Sequence, residues 1–249
     1  MAVTRRFWWA LAAGAVLIGG ASAAWGFSHH GSFYDVSPGS VLVSADGHVI
    51  TLADLSASCL HPAEVVLTES SSAVTIVERT EPDSPPTGCA RAFEPDALTI
   101  RLRDPVGRRV LLDGTTGRPL RWFDQRRELR PTYLPAGFSA WPPDMPFAFP
   151  YLDVPQGAFC TQMFHGSSGW LAITQLLGGA HDSRLKAGWP GTVFRWHGVR
   201  VRGHRGWLAW DRLTWYEGGQ SVLIVAGGRL VRLSGQSAPL LLAIARSLR

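Results

Sequence analysis

The sequence predicts an α+β, β-dominated fold: antiparallel curved sheets with a C-terminal helix packed on one face, plus one N-terminal transmembrane helix. Three observations predict it. Residues 193–233 hold short apolar runs separated by Gly-rich turns. Residues 237–248 carry an apolar stripe at helical spacing. Residues 7–27 make a run of 21 residues without a charge.

That uncharged run is long enough for a bilayer-spanning helix. Arg5 and Arg6 precede it, and flanking basic residues favour the cytoplasmic side. The expectation is a single-pass cell-membrane protein with its N-terminus in the cytoplasm and residues 28–249 outside. Its first partner is then the cytoplasmic membrane, through residues 7–27. Ala21-Ser22-Ala23 also fits a signal-peptidase site, so secretion after cleavage near Ala23 is the alternative. Residues 1–27 are read as a signal anchor and residues 28–40 as a tether.

Residues 41–121 read as a small β subdomain. Val41-Leu42-Val43 and Val49-Ile50-Thr51-Leu52 flank Asp46-Gly47, a hairpin signal because the turn needs positive backbone angles. Residues 64–68 and 73–79 are rich in Val, Thr and Ile and predict two more strands. Residues 81–88 have loop composition. Residues 98–103 alternate apolar with polar, and Val110-Leu111-Leu112 precedes a turn at 113–117. Cys59 and Cys89 flank the two middle strands. In an oxidising compartment they predict a disulfide. Its loop of about 30 residues would stabilise by roughly 3–4 kcal/mol in the chain-entropy picture. The third cysteine, Cys160, sits in a strand-like apolar run and is expected to be buried.

Residues 122–156 are Pro- and Arg-rich and predict a linker, with a short helix among residues 120–130 as the other reading. Residues 157–249 predict an antiparallel sheet plus the C-terminal helix. Residues 157–164 and 169–177 are its first strands, joined by the Gly-rich turn His165–Gly169. Residues 178–191 read as a loop. Val199 and Val201 alternate with Arg200 and Arg202, the period of a half-buried strand. Leu213 and Trp215 run into Glu217-Gly218-Gly219-Gln220, a second hairpin signal. Residues 221–225 return, and residues 229–233 add another strand. Ser237 with Pro239 marks a helix start. Leu240, Leu241, Ile244, Ala245 and Leu248 form one stripe, and Arg246 and Arg249 suit the negative end of the helix dipole.

Leu134-Pro135-Ala136-Gly137-Phe138, Gly203, Gly206-Trp207, Leu213-Thr214-Trp215 and the Leu241–Leu248 helix together resemble one family. It is a domain of unknown function at the C-termini of membrane-anchored bacterial envelope proteins, similar to sigma-regulator and lipoprotein-carrier domains. The resemblance covers residues 131–249 and rests on turn and packing motifs. It implies a curved sheet with helices, outside the membrane. It does not extend to a cytoplasmic sigma-binding segment.

Net charge is +5, and Lys186 is the only lysine, so nearly all of the positive charge is Arg. The chain holds no Gly-x-Ser-x-Gly elbow, phosphate loop, dinucleotide fingerprint, His-Glu-x-x-His or Cys-x-x-Cys. No catalytic, cofactor or metal residues are therefore expected. His29-His30 and His181-Asp182 read as exposed tether and loop. Ser167 beside His165 lies in a turn with no identified acid. Asp144, Asp153 and Asp211 cannot be paired from sequence. Arginine is dense from Arg101 to Arg130, a candidate basic face for envelope lipid heads or acidic wall polymers. The compartment, not the charge, argues against nucleic acid. The 11 tryptophans suit core anchoring, with a sugar-stacking surface as the sharper reading. The functional expectation is a membrane-tethered extracytoplasmic binding, sensing or scaffold protein, not an enzyme. The alternatives are a lipid or acyl-chain carrier with an apolar groove, and an envelope hydrolase. An unidentified protein partner also fits the first reading.

Overall fold

The computed structural model describes residues 34–36, 40–54, 64–80, 96–145, 158–177, 195–228 and 237–249. The membrane span expected at 7–27, the Cys59–Cys89 disulfide, His29-His30, Asp153, His181-Asp182 and the strand expected at 229–233 lie outside these residues. Among the described residues, no helix is long and apolar enough to cross a membrane.

The Asp46-Gly47 signal makes the first hairpin. Strands β2 (Val41–Val43) and β3 (Val49–Asp54) pair antiparallel. Gly47 takes φ 77°, which a side chain would disfavour. Ser44 supports the turn from within: its hydroxyl accepts from the Val49 N–H at 2.8 Å and donates to Asp46. β6 (Asp96–Arg101) pairs antiparallel with β3, and β8 (Trp122–Asp124) pairs parallel with β2, completing a four-stranded sheet.

A second sheet is centred on β5 (Ala73–Thr80), which pairs antiparallel with β4 (Glu64–Glu69) and parallel with β7 (Val110–Asp113); β1 (Tyr34–Val36) also joins it. The two sheets share a core of Val41, Val43, Ile50, Leu52, Val74, Ile76, Leu102, Val106 and Leu111. Period-2 alternation explains who enters it. Val41 and Val43 point into this core, while Leu42 points out of the other side.

A seven-stranded antiparallel sheet follows. Its strands are β9 (Ser139–Met145), β10 (Ala158–Gly166), β11 (Gly169–Leu177), β12 (His197–Val201), β13 (His204–Ala209), β14 (Arg212–Glu217) and β15 (Gln220–Gly228). The spatial order is β12-β13-β14-β15-β11-β10-β9. Three consecutive strands thus lie at one side, and four others return from the far edge to meet them at β15–β11. The Gly218-Gly219 turn behaves as its sequence demands, with φ 58° and 81°. β10 bulges between Thr161 and Met163 where β9 joins it.

Helix α1 (Ser237–Ser247) lies on one face of this sheet. Its stripe Leu241, Ile244, Ala245 and Leu248 closes a core with Phe164, Leu171, Ile173, Val201, Leu213, Trp215, Val222, Ile224 and Ala226. Ser237 does not serve simply as a helix cap. Its hydroxyl donates to the Trp210 carbonyl, fixing the helix start to the β13–β14 turn.

Residues 122–145, expected as a linker, contribute strands to two sheets. Phe123 of β8 and Leu42 of β2 pack on Ala158, Cys160 and Leu177, so the first sheet backs onto the β10–β11 end of the large one. A buried interface of this kind makes residues 35–249 one unit.

Candidate functional site

Two arrangements bear on function. One fixes the body; the other presents a surface.

The fixing arrangement is a strap, residues 125–134, laid across the face that α1 also covers. It opens with a 3-10 turn, Gln125–Arg127, whose first N–H groups are capped by the Asp124 carboxylate. Leu129 then crosses the sheet. Its N–H donates to Gln175 Oε1 at 2.7 Å, and its carbonyl accepts from Gln175 Nε2 at 3.0 Å. One side-chain amide thus replaces the two bonds a neighbouring strand would make. Glu128 is the centre of the polar seam. Its Oε1 accepts from Gln162 Nε2 and from the Cys160 thiol at 3.5 Å. Its Oε2 pairs with Arg130 at 2.8 Å, and its side chain is 1% exposed. The strap ends against the C-terminus. Arg130 and Arg249 exchange backbone bonds of 2.9 and 3.0 Å, and the Thr132 N–H reaches the Ser247 carbonyl. This is structural chemistry. Cys160 is wholly buried, and its thiol is taken up by the Glu128 carboxylate.

Part of the arginine-dense stretch 101–130 is engaged in the same way. Arg109 donates to the Glu69 carboxylate at 2.8 Å and to the carbonyls of Ser70, Asp104 and Pro105. Glu69 also accepts from the Arg103 N–H, and these bonds hold its carboxyl below the usual range. Arg109 lines a cleft of about 320 Å³ between Ser70-Ser71 and the 104–109 loop, but its charge is spent. Arg126 pairs with Asp124, whose carboxyl is likewise held low by that guanidinium. Arg127 donates to the Gly218 carbonyl.

The presented surface lies on β12–β14, where sequence reasoning had read only a strand pattern. From Arg195 to Trp210 the chain has four arginines and no carboxylate, the signal that would have found it. Arg200 and Arg205 are directly opposite across β12–β13. Gly198 is opposite Trp207 in the same ladder, and Trp207 is opposite Thr214 on β14. Alternation therefore puts Arg200, Arg205, Trp207, Thr214 and Tyr216 on one side of the sheet, away from α1. Arg205 lies over the Trp207 indole, 4.7 Å from the ring centre. Arg200 leans the other way and donates to the Gly203 carbonyl. Tyr216 is 47% exposed. Among the described residues neither Arg200 nor Arg205 pairs with a carboxylate. Their neighbour Arg202 points to the opposite side. It adopts φ 51° in the turn, donates to Glu217 at 3.1 Å and also bonds the Leu248 carbonyl.

His165 and Ser167 mark the β10–β11 hairpin end. The His165 ring meets Trp141 edge-on at 5.4 Å, and Ser167 is exposed. Asp211 pairs with Arg212 at 2.8 Å. Asp144 falls on β9. Among the described residues no group of three His, Cys, Asp or Glu side chains is placed to hold a metal ion.

No protein-family model matches the chain, and no curated protein matches it significantly.

Proposed function

We propose that this chain is a binding module held outside the cytoplasmic membrane by residues 7–27, and that it acts as a receptor or scaffold without catalysis. One observation carries the reading. Among the described residues, Arg200 and Arg205 pair with no carboxylate beside Trp207 and Tyr216, whereas Arg109, Arg126 and Arg130 each pair with one. Exposed Arg, Trp and Tyr dominate binding energy at protein surfaces because they combine large contact area with strong donors. The filled core beneath α1, with Trp215 at 1% exposure, favours a presenting surface over an acyl-chain sheath on that side. The Cys59–Cys89 disulfide, the release near Ala23 as alternative topology, and kinship of residues 131–249 with membrane-anchored envelope domains belong to the same proposal.

The test has two readouts. A Trp210→Cys chain, substituted at a residue 68% exposed, is expected to react with a membrane-impermeant maleimide on intact cells. Labelling only after permeabilisation would exclude the extracytoplasmic placement. The detergent-solubilised full chain is also expected to co-sediment with purified, lipid-free cell-wall sacculi. An Arg200→Gln/Arg205→Gln chain sedimenting as well as the native one would remove the surface from the proposal.

A further inference from the structure

We infer that the β12–β14 surface docks an anionic polysaccharide, with its acidic groups on Arg200 and Arg205 and a sugar face on Tyr216. The inference rests on the binding reading above and names its ligand.

Three features of the geometry point to this chemistry. The first is charge. Arg200 and Arg205 face each other across one ladder step, and like charges in that position repel. Among the described residues no carboxylate relieves them, so a bound anion would. Guanidinium groups suit it because their planar fork of donors matches carboxylate and phosphate.

The second feature is preorganisation. Arg205 rests on Trp207 at 4.7 Å, and Arg200 is tied to the Gly203 carbonyl. The two guanidiniums are thereby splayed along the strands before any ligand arrives, which lowers the ordering cost of binding. Gly198 opposite Trp207 leaves no side chain on β12 to screen the indole from that side.

The third feature is shape. The strip runs across three strands, one residue in from the end of each. Neighbouring strands lie about 4.8 Å apart, so Arg200, Arg205 and Tyr216 form a short line across the sheet. A chain-like polymer can lie along such a line. An acidic peptide would use the arginines but gain less from an exposed phenol ring than a sugar would. Tyr216 supplies the apolar platform on which a sugar ring stacks, with its hydroxyl available to a sugar hydroxyl.

The full chain in nonionic detergent would be titrated calorimetrically with four probes: polygalacturonate, neutral dextran, poly-L-glutamate and phosphatidylglycerol vesicles. Polygalacturonate is expected to bind, more weakly as salt rises, and dextran is not. Arg200→Gln/Arg205→Gln is expected to weaken polygalacturonate roughly tenfold or more. Tyr216→Ala is expected to weaken polygalacturonate severalfold while leaving the thermal melt in place. Should poly-L-glutamate or the vesicles bind as tightly through the same two arginines, the polysaccharide assignment is lost and the binding reading stands. Should no probe bind, the assignment is lost. The binding reading is lost with it only if the arginine variant also leaves sedimentation with sacculi unchanged.

Discussion

Glu128 shows how one residue can hold a joint. Its carboxylate is buried, yet it accepts from Gln162, Cys160 and Arg130. A buried charge is tolerated only when its lone pairs are filled in this way. Glu128→Ala would leave the Gln162 amide without that acceptor. The expected cost is about 2 kcal/mol in urea unfolding, with Glu128→Gln costing about half as much. An unchanged midpoint in both variants would mean that the seam does not hold the strap. Neither the pairing nor its burial was legible beforehand, because residue 128 reads as one more charge in a charged linker. Gly227 lies next to the end of β15. A Cβ there would sit 2.2 Å from the Trp170 indole, so the glycine makes room for a ring from the next strand.

At the scale of elements, local signals performed well where the turn chemistry was strong. Asp46-Gly47 and Gly218-Gly219 both gave hairpins, because few residues accept their backbone angles. The α1 stripe gave a packed helix for the equally local reason that 3.6-residue spacing makes one apolar side. The 104–109 loop is different. It is fixed by a contact forty residues away, Arg109 to Glu69. Glu69 titrates lower in the fold than its ordinary 4.5. Its stabilisation is therefore complete above that value and is lost as pH falls through the lower folded one. Glu69→Gln should flatten the acid side of the profile, so that the gap between urea midpoints at pH 7 and pH 3 narrows relative to the native chain. A gap of the same size would show that other carboxylates carry the acid sensitivity.

For the whole molecule, the decisive contacts join distant parts of the chain. Leu248 is 1% exposed, belongs to the α1 core and bridges to Pro131. Leu248→Ala should remove a core side chain beside that backbone bridge, at about 2–4 kcal/mol. The fall in thermal midpoint should exceed that of Leu240→Ala, whose side chain is only half buried; equal falls would show that Leu248 is not a core anchor. The same long-range logic explains the sheets. β8 pairs with β2 across some eighty residues, and β15 returns to β11 after the four-strand excursion. Pairings of that separation leave no periodic trace, since each strand's pattern records which side is buried and not which neighbour covers it.

By itself, the sequence determined the β-dominated character, the two glycine hairpins, the helix and its buried stripe, because each depends on spacing or backbone angle within a few residues. Only the tertiary structure decided which strands are neighbours and which arginines meet a carboxylate among the described residues. Charge compensation is a property of three-dimensional neighbours, and a one-dimensional string does not contain them.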